Sequence, residues 1–310
     1  MKLSKLSKLL VSTFVAASLC SVSVFAQDIG DSQAAAPVIA SAKMGITDKI
    51  YTSKKPSIRV ATYNIGAAML SSVEDVVKAV KSLKADVICL NEVDRNTVRS
   101  GNLDQAAFIA KELKMEYAFA KTMDFDGGEY GMAILSKHPI KNFEVVNLPN
   151  GQEGVDEPRI VLICEIDHPR FDSPVVMMNT HLDYKEDHVL QRRQITRLND
   201  LAVANITLKN IESFTTKIKI LAGDFNDTYN SENIAELQRY WDPVVDKEAY
   251  KMRTWPALNP MADLDHIFTS RGQRWHIRTV HVPTSKENKI NWASISDHRP
   301  VVADLQLIER

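Results

Sequence analysis

The sequence predicts an α/β protein in which layered β-sheets are flanked by helices. Three observations predict it. Short β-branched runs recur along 57–310. Some are separated by segments of helical periodicity and others follow one another directly, a mixture that a purely parallel Rossmann sheet does not produce. Many of the apolar runs also end in Asn, Asp, Glu or His, which gathers polar groups toward one edge of a sheet.

The elements follow in order. A β-branched strand spans 58–63. Val73, Val76, Val77, Val80 and Leu83 then share one helical face, with Ser71 and Glu74 spaced as a capping box. A buried strand covers 86–90, a helix 104–114, and strands 131–135, 159–166 and 175–179. A long helix is expected over 188–210 on Leu190, Leu198, Leu201 and Ile206. Next come a strand at 217–222 and a helix capped by Ser231 and running to 240. Strands at 265–269, 278–282 and 301–307 complete the set.

The chain is 310 residues long, 45% hydrophobic and 25% charged, which suits a globular domain with a substantial core. Its start reads differently. Lys2, Lys5 and Lys8 precede an apolar run at 9–19, and Val24-Phe25-Ala26 fits a signal-peptidase site. Residues 1–26 are therefore expected to be a cleaved signal peptide, not an anchor, because the run is too short to span comfortably. Leu19 before Cys20 is a poor fit to lipid attachment. Residues 27–56 read as a flexible leader and 57–310 as one domain. The expected protein is exported, periplasmic or extracellular, without a transmembrane span, and monomeric. Cleavage removes three lysines and no acid, leaving 35 basic against 39 acidic residues. That balance does not favour a nucleic-acid partner, although a local basic cleft would permit one. Cys89 and Cys164 lie inside apolar runs and read as buried free thiols.

The polar strand ends are chemically coherent. Asn64, Asn91, Glu92, Asn179, His181, Asp224, Asn226, Asp265, His266, Asp297 and His298 all fall at or beside them. Carboxylate and amide oxygens suit a hard cation, Mg²⁺ or Mn²⁺, and no Cys/His cluster at zinc spacing occurs. Histidines supply donors for a phosphate oxygen, and an Asp/Asn pair can orient and deprotonate a water. Each residue also has a structural reading. Asn64 can cap a turn, Asp224 and Asn226 can form an Asx turn, and Asp297-His298 can be an ordinary loop pair.

ATYNI, CLNEVD, NTHLD, LAGDFND, DLDHIF and SDHRPV occur in this order between about 58 and 307. Together they resemble the endonuclease/exonuclease/phosphatase superfamily, which includes pancreatic deoxyribonuclease, abasic-site endonucleases, sphingomyelinases and inositol-polyphosphate 5-phosphatases. The resemblance implies a deoxyribonuclease I-like fold, a four-layer sandwich of two packed mixed β-sheets flanked by helices. It implies a metal-dependent phosphoesterase, with Glu92 as principal metal ligand and Asn64 and Asp297 close to the ion. Asp224 corresponds to the residue that positions or deprotonates water, with Asn226 orienting the same region. His298 corresponds to the phosphate-contacting histidine, oriented by Asp265, and His181 to a second phosphate contact. Glu129 falls where pancreatic deoxyribonuclease carries the acidic partner of that second histidine.

His266 reads as a packed neighbour, while Arg159, the Arg192-Arg193-Arg197 group and the four tryptophans stay undecided. The stretch before 265 lacks the Trp-Cys-Asp-Arg element of the 5-phosphatases, and His181 stands where abasic-site endonucleases place Tyr. The stretch 92–100 is more similar to a bacterial metal-hydrolase branch and to sphingomyelinases. A small-molecule or lipid-headgroup phosphodiester is therefore the expected substrate. The alternatives are an endo- or exonuclease, a phosphomonoesterase and a non-catalytic binding module.

Overall fold

The computed structural model describes residues 55–309 except 153, 155, 204, 205 and 285. The expected signal peptide and most of the leader lie outside the described residues. Twelve strands form two six-stranded sheets among the described residues. The first contains β1 (Ser57–Asn64), β2 (Val87–Arg95), β3 (Glu116–Phe125), β4 (Gly128–Ser136), β11 (Arg274–His281) and β12 (Val301–Glu309), in the order β11-β12-β1-β2-β4-β3. The second contains β5 (Ile140–Asn147), β6 (Ile160–Ile166), β7 (Val175–His181), β8 (Ile218–Asp224), β9 (Trp241–Pro243) and β10 (Asp265–Ser270), in the order β5-β6-β7-β8-β10-β9. β1 with β2, and β7 with β8, run parallel; the other pairs are antiparallel. The sheets are therefore mixed, as expected.

Period-two alternation explains the layering. Ile58, Val60, Cys89, Leu162, Cys164 and Met177 point into one core shared by both sheets. Their strand neighbours Ala61, Ile88 and Leu90 point the other way, onto helices α1 (Val73–Ser82) and α2 (Gln105–Leu113). Val161, Ile163, Val176 and Met178 pack likewise against α3 (Val189–Ala202) and α4 (Glu232–Leu237). Strands covered on both faces read as unbroken apolar runs, which is why they were legible. Cys89 and Cys164 are free and buried in the inter-sheet core. Among the described residues no helix is long and apolar enough to cross a membrane.

Three expectations are corrected. Ser72, not Ser71, caps α1, accepting from Asp75 N at 3.2 Å, while Ser71 Oγ donates to Ile295 O at 3.3 Å. The helix expected over 188–210 ends at Ala202. Ile206 and Leu208 continue its apolar pattern because they pack onto the same core from a loop. Strands β3, β5 and β9 were not anticipated. All three are sheet edges, and the solvated faces of β3 and β5 dilute the apolar signal. The β3–β4 turn carries a readable mark, Asp126-Gly127, both at positive φ.

Candidate active site

The two parallel strand pairs end at one edge, and register places the polar side chains there. In the second sheet His181 pairs with Asp224, which pairs with Asp265 on its other side. Directly paired residues point to the same face, so three of the candidate residues form one row. Gly223 permits the close approach of β7 and β8 just before Asp224: its φ is +145°, and a Cβ there would lie 1.9 Å from Thr180 O. In the first sheet Asn64 is level with Asn91.

Two buried amides tie the sheets together beneath this row. Asn91 Nδ2 donates to Thr180 O at 2.9 Å and to Asn179 Oδ1 at 3.2 Å. Asn179 Nδ2 donates to Leu90 O at 2.9 Å and to Ala133 O at 3.0 Å. These two strand-end residues therefore act as an inter-sheet clasp.

Glu92 reaches the cleft through backbone distortion. The β2–β4 register shifts between Leu90 and Val93, and Glu92 sits in the left-handed region at φ 55°. A bulge re-aims the side chain that flat pairing would direct elsewhere, and a non-glycine residue held there is strained, as is common at functional sites. Asn64, nearly fully buried, donates from Nδ2 to Glu92 Oε1 at 2.9 Å and to Asp224 Oδ2 at 3.0 Å. One amide thus bridges two carboxylates. Ser296 Oγ donates to Asn64 O at 2.7 Å and accepts from His298 N at 3.1 Å, which brings the last motif against the first.

Asp224 lies between the two histidines, its Oδ2 being 3.7 Å from both His181 Nε2 and His298 Nε2. Those separations are too long for hydrogen bonds and leave both ring nitrogens available to a ligand. Asn226 N donates to Asp224 Oδ1 at 2.9 Å, and Asn226 Nδ2 donates to Leu182 O at 2.9 Å, closing an Asx-type turn. His298 Nδ1 is 2.8 Å from Asp265 Oδ2.

The same environment drives the two imidazoles in opposite directions. Burial works against the charged form of His298, but Asp265, Asp224 and Asp297 outweigh it and push the group up to about 10. Burial, reinforced by Arg159 and His298, holds His181 well below the ordinary histidine range. Burial and the neighbouring Asp265 push Asp224 up to about 7, against His298, Asn64 and Asn226. At neutral pH the site therefore pairs a charged His298 with a neutral His181.

Glu92, His181, Asp224, Asn226, Asp297 and His298 line one open cleft of about 450 Å³. Glu129 does not join them. It stands opposite Arg95 on the β2–β4 ladder and ion-pairs with Arg95 and with Lys121, so its carboxylate is engaged by two cations and makes no bond to His181. His266 is a packed neighbour: its Nε2 bonds Asp227 O at 2.8 Å and its ring meets Phe225 edge-on. Arg192 bonds Asn233 and faces Glu232, away from the cleft lining. Arg159, fully buried, does line it, with Nη1 donating to Glu157 Oε1 at 2.9 Å. Trp255 also lines it, whereas Trp241 and Trp292 are core residues. Glu157 and Tyr184 were missed, because both sit on irregular loops that carry no periodic signal.

Residues 61–298 match the model of the Endonuclease/Exonuclease/phosphatase family. The uncharacterized protein YbhP of Escherichia coli is 27% identical over 244 residues, covering 74% of this chain and 86% of the relative. A structure of an endonuclease/exonuclease/phosphatase from Beutenbergia cavernae superposes with TM-score 0.60 and 21% identity, covering 82% of this chain and 72% of that one. A mannosyl-6-phosphatase from Bacteroides thetaiotaomicron superposes with TM-score 0.60 and 17% identity, covering 81% and 99%.

Proposed function

Because the chain belongs to the endonuclease/exonuclease/phosphatase family, whose members hydrolyse phosphate esters, we propose that it is an exported, divalent-cation-dependent phosphodiesterase acting on a small-molecule or lipid-headgroup diester. The observation that carries the reading is Asp224, held between two histidine Nε2 atoms and bridged to Glu92 through Asn64. The export reading is supported by the lysines and apolar run at 2–26.

The donor set fits a hard cation. Glu92, Asp224, Asp297 and Glu157 place four carboxylates in a cleft whose cationic groups are Arg159 and His298. Such an excess of negative charge repels a phosphate ester unless a cation balances it. Glu92 and Asp297 would hold the ion with carboxylate oxygens, Mg²⁺ or Mn²⁺ being the chemically suited choices, and Asn64, whose Oδ1 accepts from Gly66 N at 3.0 Å while its Nδ2 faces Glu92, would orient Glu92 close to it. When bound, it would neutralise phosphate charge and polarise the P–O bonds. Asp224, Asp265 and His298 also converge, with ligand atoms within 4.8 Å of one another. Within this trio only His298 and Asp265 are hydrogen-bonded, at 2.8 Å, while Asp224 stands 3.7 Å from His298 Nε2.

The protein's own groups then divide the work. Asp224 accepts a proton from the attacking water, whose oxygen Asn226 helps to orient. His298, kept protonated by Asp265, donates from Nε2 to a non-bridging phosphate oxygen. Neutral His181 donates from Nε2 to a second oxygen. Both donors stabilise charge that grows as the new P–O bond forms and the ester P–O bond breaks, the departing alkoxide taking its proton from solvent water.

The test is turnover of bis-p-nitrophenyl phosphate with Mg²⁺ or Mn²⁺, with p-nitrophenyl phosphate and supercoiled plasmid as comparison substrates. Glu92→Ala and His298→Ala are expected to lower kcat/KM by about a hundredfold or more. Full activity in either variant, or activity unaffected by EDTA, would overturn the reading.

A further inference from the structure

Beyond the groups that contact phosphate and water, the cleft lining includes three more side chains, Glu157, Tyr184 and Trp255. Tyr184 is 65% exposed and Trp255 41% exposed, so both side chains reach solvent. Their supporting loops are tied by polar contacts. Asp156, next to Glu157, ion-pairs with Lys185, next to Tyr184, which joins the two loops that carry them. Lys185 N also donates to Asp183 Oδ2 at 3.2 Å. The Trp255 loop is closed by reciprocal backbone bonds with Ala262, at 3.0 and 2.9 Å, and tied to the catalytic edge by Ala257 N donating to Asp297 O at 2.6 Å. Trp255 Nε1 itself donates to Asp297 Oδ2 at 3.3 Å.

Solvent-exposed aromatic side chains on a cleft lining suit a ligand ring that stacks on them. The carboxylate on the same cleft lining narrows the chemistry. Glu157 Oε1 accepts from Arg159, while no bond to Oε2 is made among the described residues. A carboxylate is acceptor-only, so a partner for Oε2 must supply donors, as hydroxyl groups do. The phenolic oxygen of Tyr184 can take or give another such bond. The cleft is also within the roughly 300–1,000 Å³ typical of small-molecule sites, with room beyond a phosphate.

Resting on the phosphodiesterase reading above, we propose that Trp255, Tyr184 and Glu157 form a subsite for a polyhydroxylated ring, a sugar or cyclitol, esterified to the phosphate that is cleaved. The aromatic faces take the ring's C–H surface, and Glu157 accepts from its hydroxyls. Trp255 is at the same time a positioning residue for Asp297 through its indole N–H.

The experiment measures kcat/KM on four soluble diesters with Mg²⁺ or Mn²⁺: sn-glycero-3-phosphoinositol, the methyl diester of glucose 6-phosphate, sn-glycero-3-phosphoethanolamine and thymidylyl-thymidine. The inositol or glucose ester, whichever ring the subsite takes, is expected to exceed the ethanolamine ester by at least about tenfold. Trp255→Ala and Glu157→Gln should bring that ratio toward one; a common loss through Asp297 cancels in it. Trp255→Phe keeps the ring face and loses the indole N–H, so it should retain the ratio while lowering kcat on all esters. Quenching of tryptophan fluorescence by the same esters with Mg²⁺ in the slow His298→Ala variant reads binding with little turnover, and there too the polyol esters should bind more tightly. No preference by either measurement, a ratio unchanged in Trp255→Ala and Glu157→Gln, or thymidylyl-thymidine preferred over both polyol esters would overturn the subsite. Equal hydrolysis of all four would leave the phosphodiesterase reading standing.

Discussion

Replacing Asp265 by Asn tests the charge arrangement directly. The change keeps the shape of the side chain and removes its charge. In the wild type, burial opposes the protonation of His298, and Asp265 is the largest of the influences that overcome it, with Asp224 and Asp297 adding to it. The net rise to about 10 is roughly 3 units above an ordinary histidine, or on the order of 4–5 kcal/mol favouring the charged form. Asp265 Oδ2 is 2.8 Å from the ring, and its Oδ1 is buried with no bonding partner, so His298 is its one close cationic neighbour among the described residues. Without that charge, burial should bring His298 to or below the ordinary value of about 6.5. In the metal-free protein, the His298 ring resonances followed by ¹⁵N–¹H NMR should then titrate at least about 3 units lower than in the wild type. At pH 7.5 the fraction of charged ring falls to about a tenth or less, and kcat/KM on bis-p-nitrophenyl phosphate should fall by about 10²–10⁴ once lost orientation is included. Part of the loss should return as the pH is lowered toward 6. A His298 that still titrates near its original value, or a pH-independent loss below about threefold, would refute the paired-charge account.

Three further outcomes are expected. Asn179→Ala removes the two bonds that Asn179 donates and the one it accepts from Asn91, leaving Asn91 bonded to Thr180 O, and should cost about 2 kcal/mol, lowering Tm by about 4–8 °C in a domain of this size; calorimetry reads it. Gly223→Ala places a methyl group 1.9 Å from Thr180 O and should destabilise by more than about 4 kcal/mol, yielding insoluble or unfolded protein. Lys219 is buried, and burial brings its ammonium down to about 8. The unfolded chain, titrating near 10.4, therefore binds the proton more tightly, so this group's penalty is complete below pH 8 and disappears as the pH rises toward 10.4. Lys219→Met should stabilise the fold at pH 7 by about 1–3 kcal/mol, the bond to Thr215 O offsetting part of the gain. In paired urea titrations that advantage should shrink by pH 10.

Much of the fold was readable because the central strands are covered on both faces. β2, β7 and β8 begin as apolar runs, broken only by Lys219 in β8, and end in polar residues. Their polar ends therefore stood out before any contact was known. Edge strands gave a weaker signal, since β3 and β5 keep one face in water and mix polar with apolar residues.

What local pattern determined was the identity of the chemical groups and their placement at strand ends: Asn64, Glu92, His181, Asp224, Asp265 and His298. What only the tertiary structure decided was which groups meet, and in which charge state. Glu129 has a suitable side chain, but strand register sets it against Arg95. Glu157, Tyr184 and Trp255 enter the cleft from loops that carry no period. His181 and His298 are the same residue type, yet the carboxylates around one and the burial of the other drive them apart. The reason is physical: side-chain chemistry and periodicity are local properties of a chain, whereas distance, desolvation and field at a point are set by segments far removed along it.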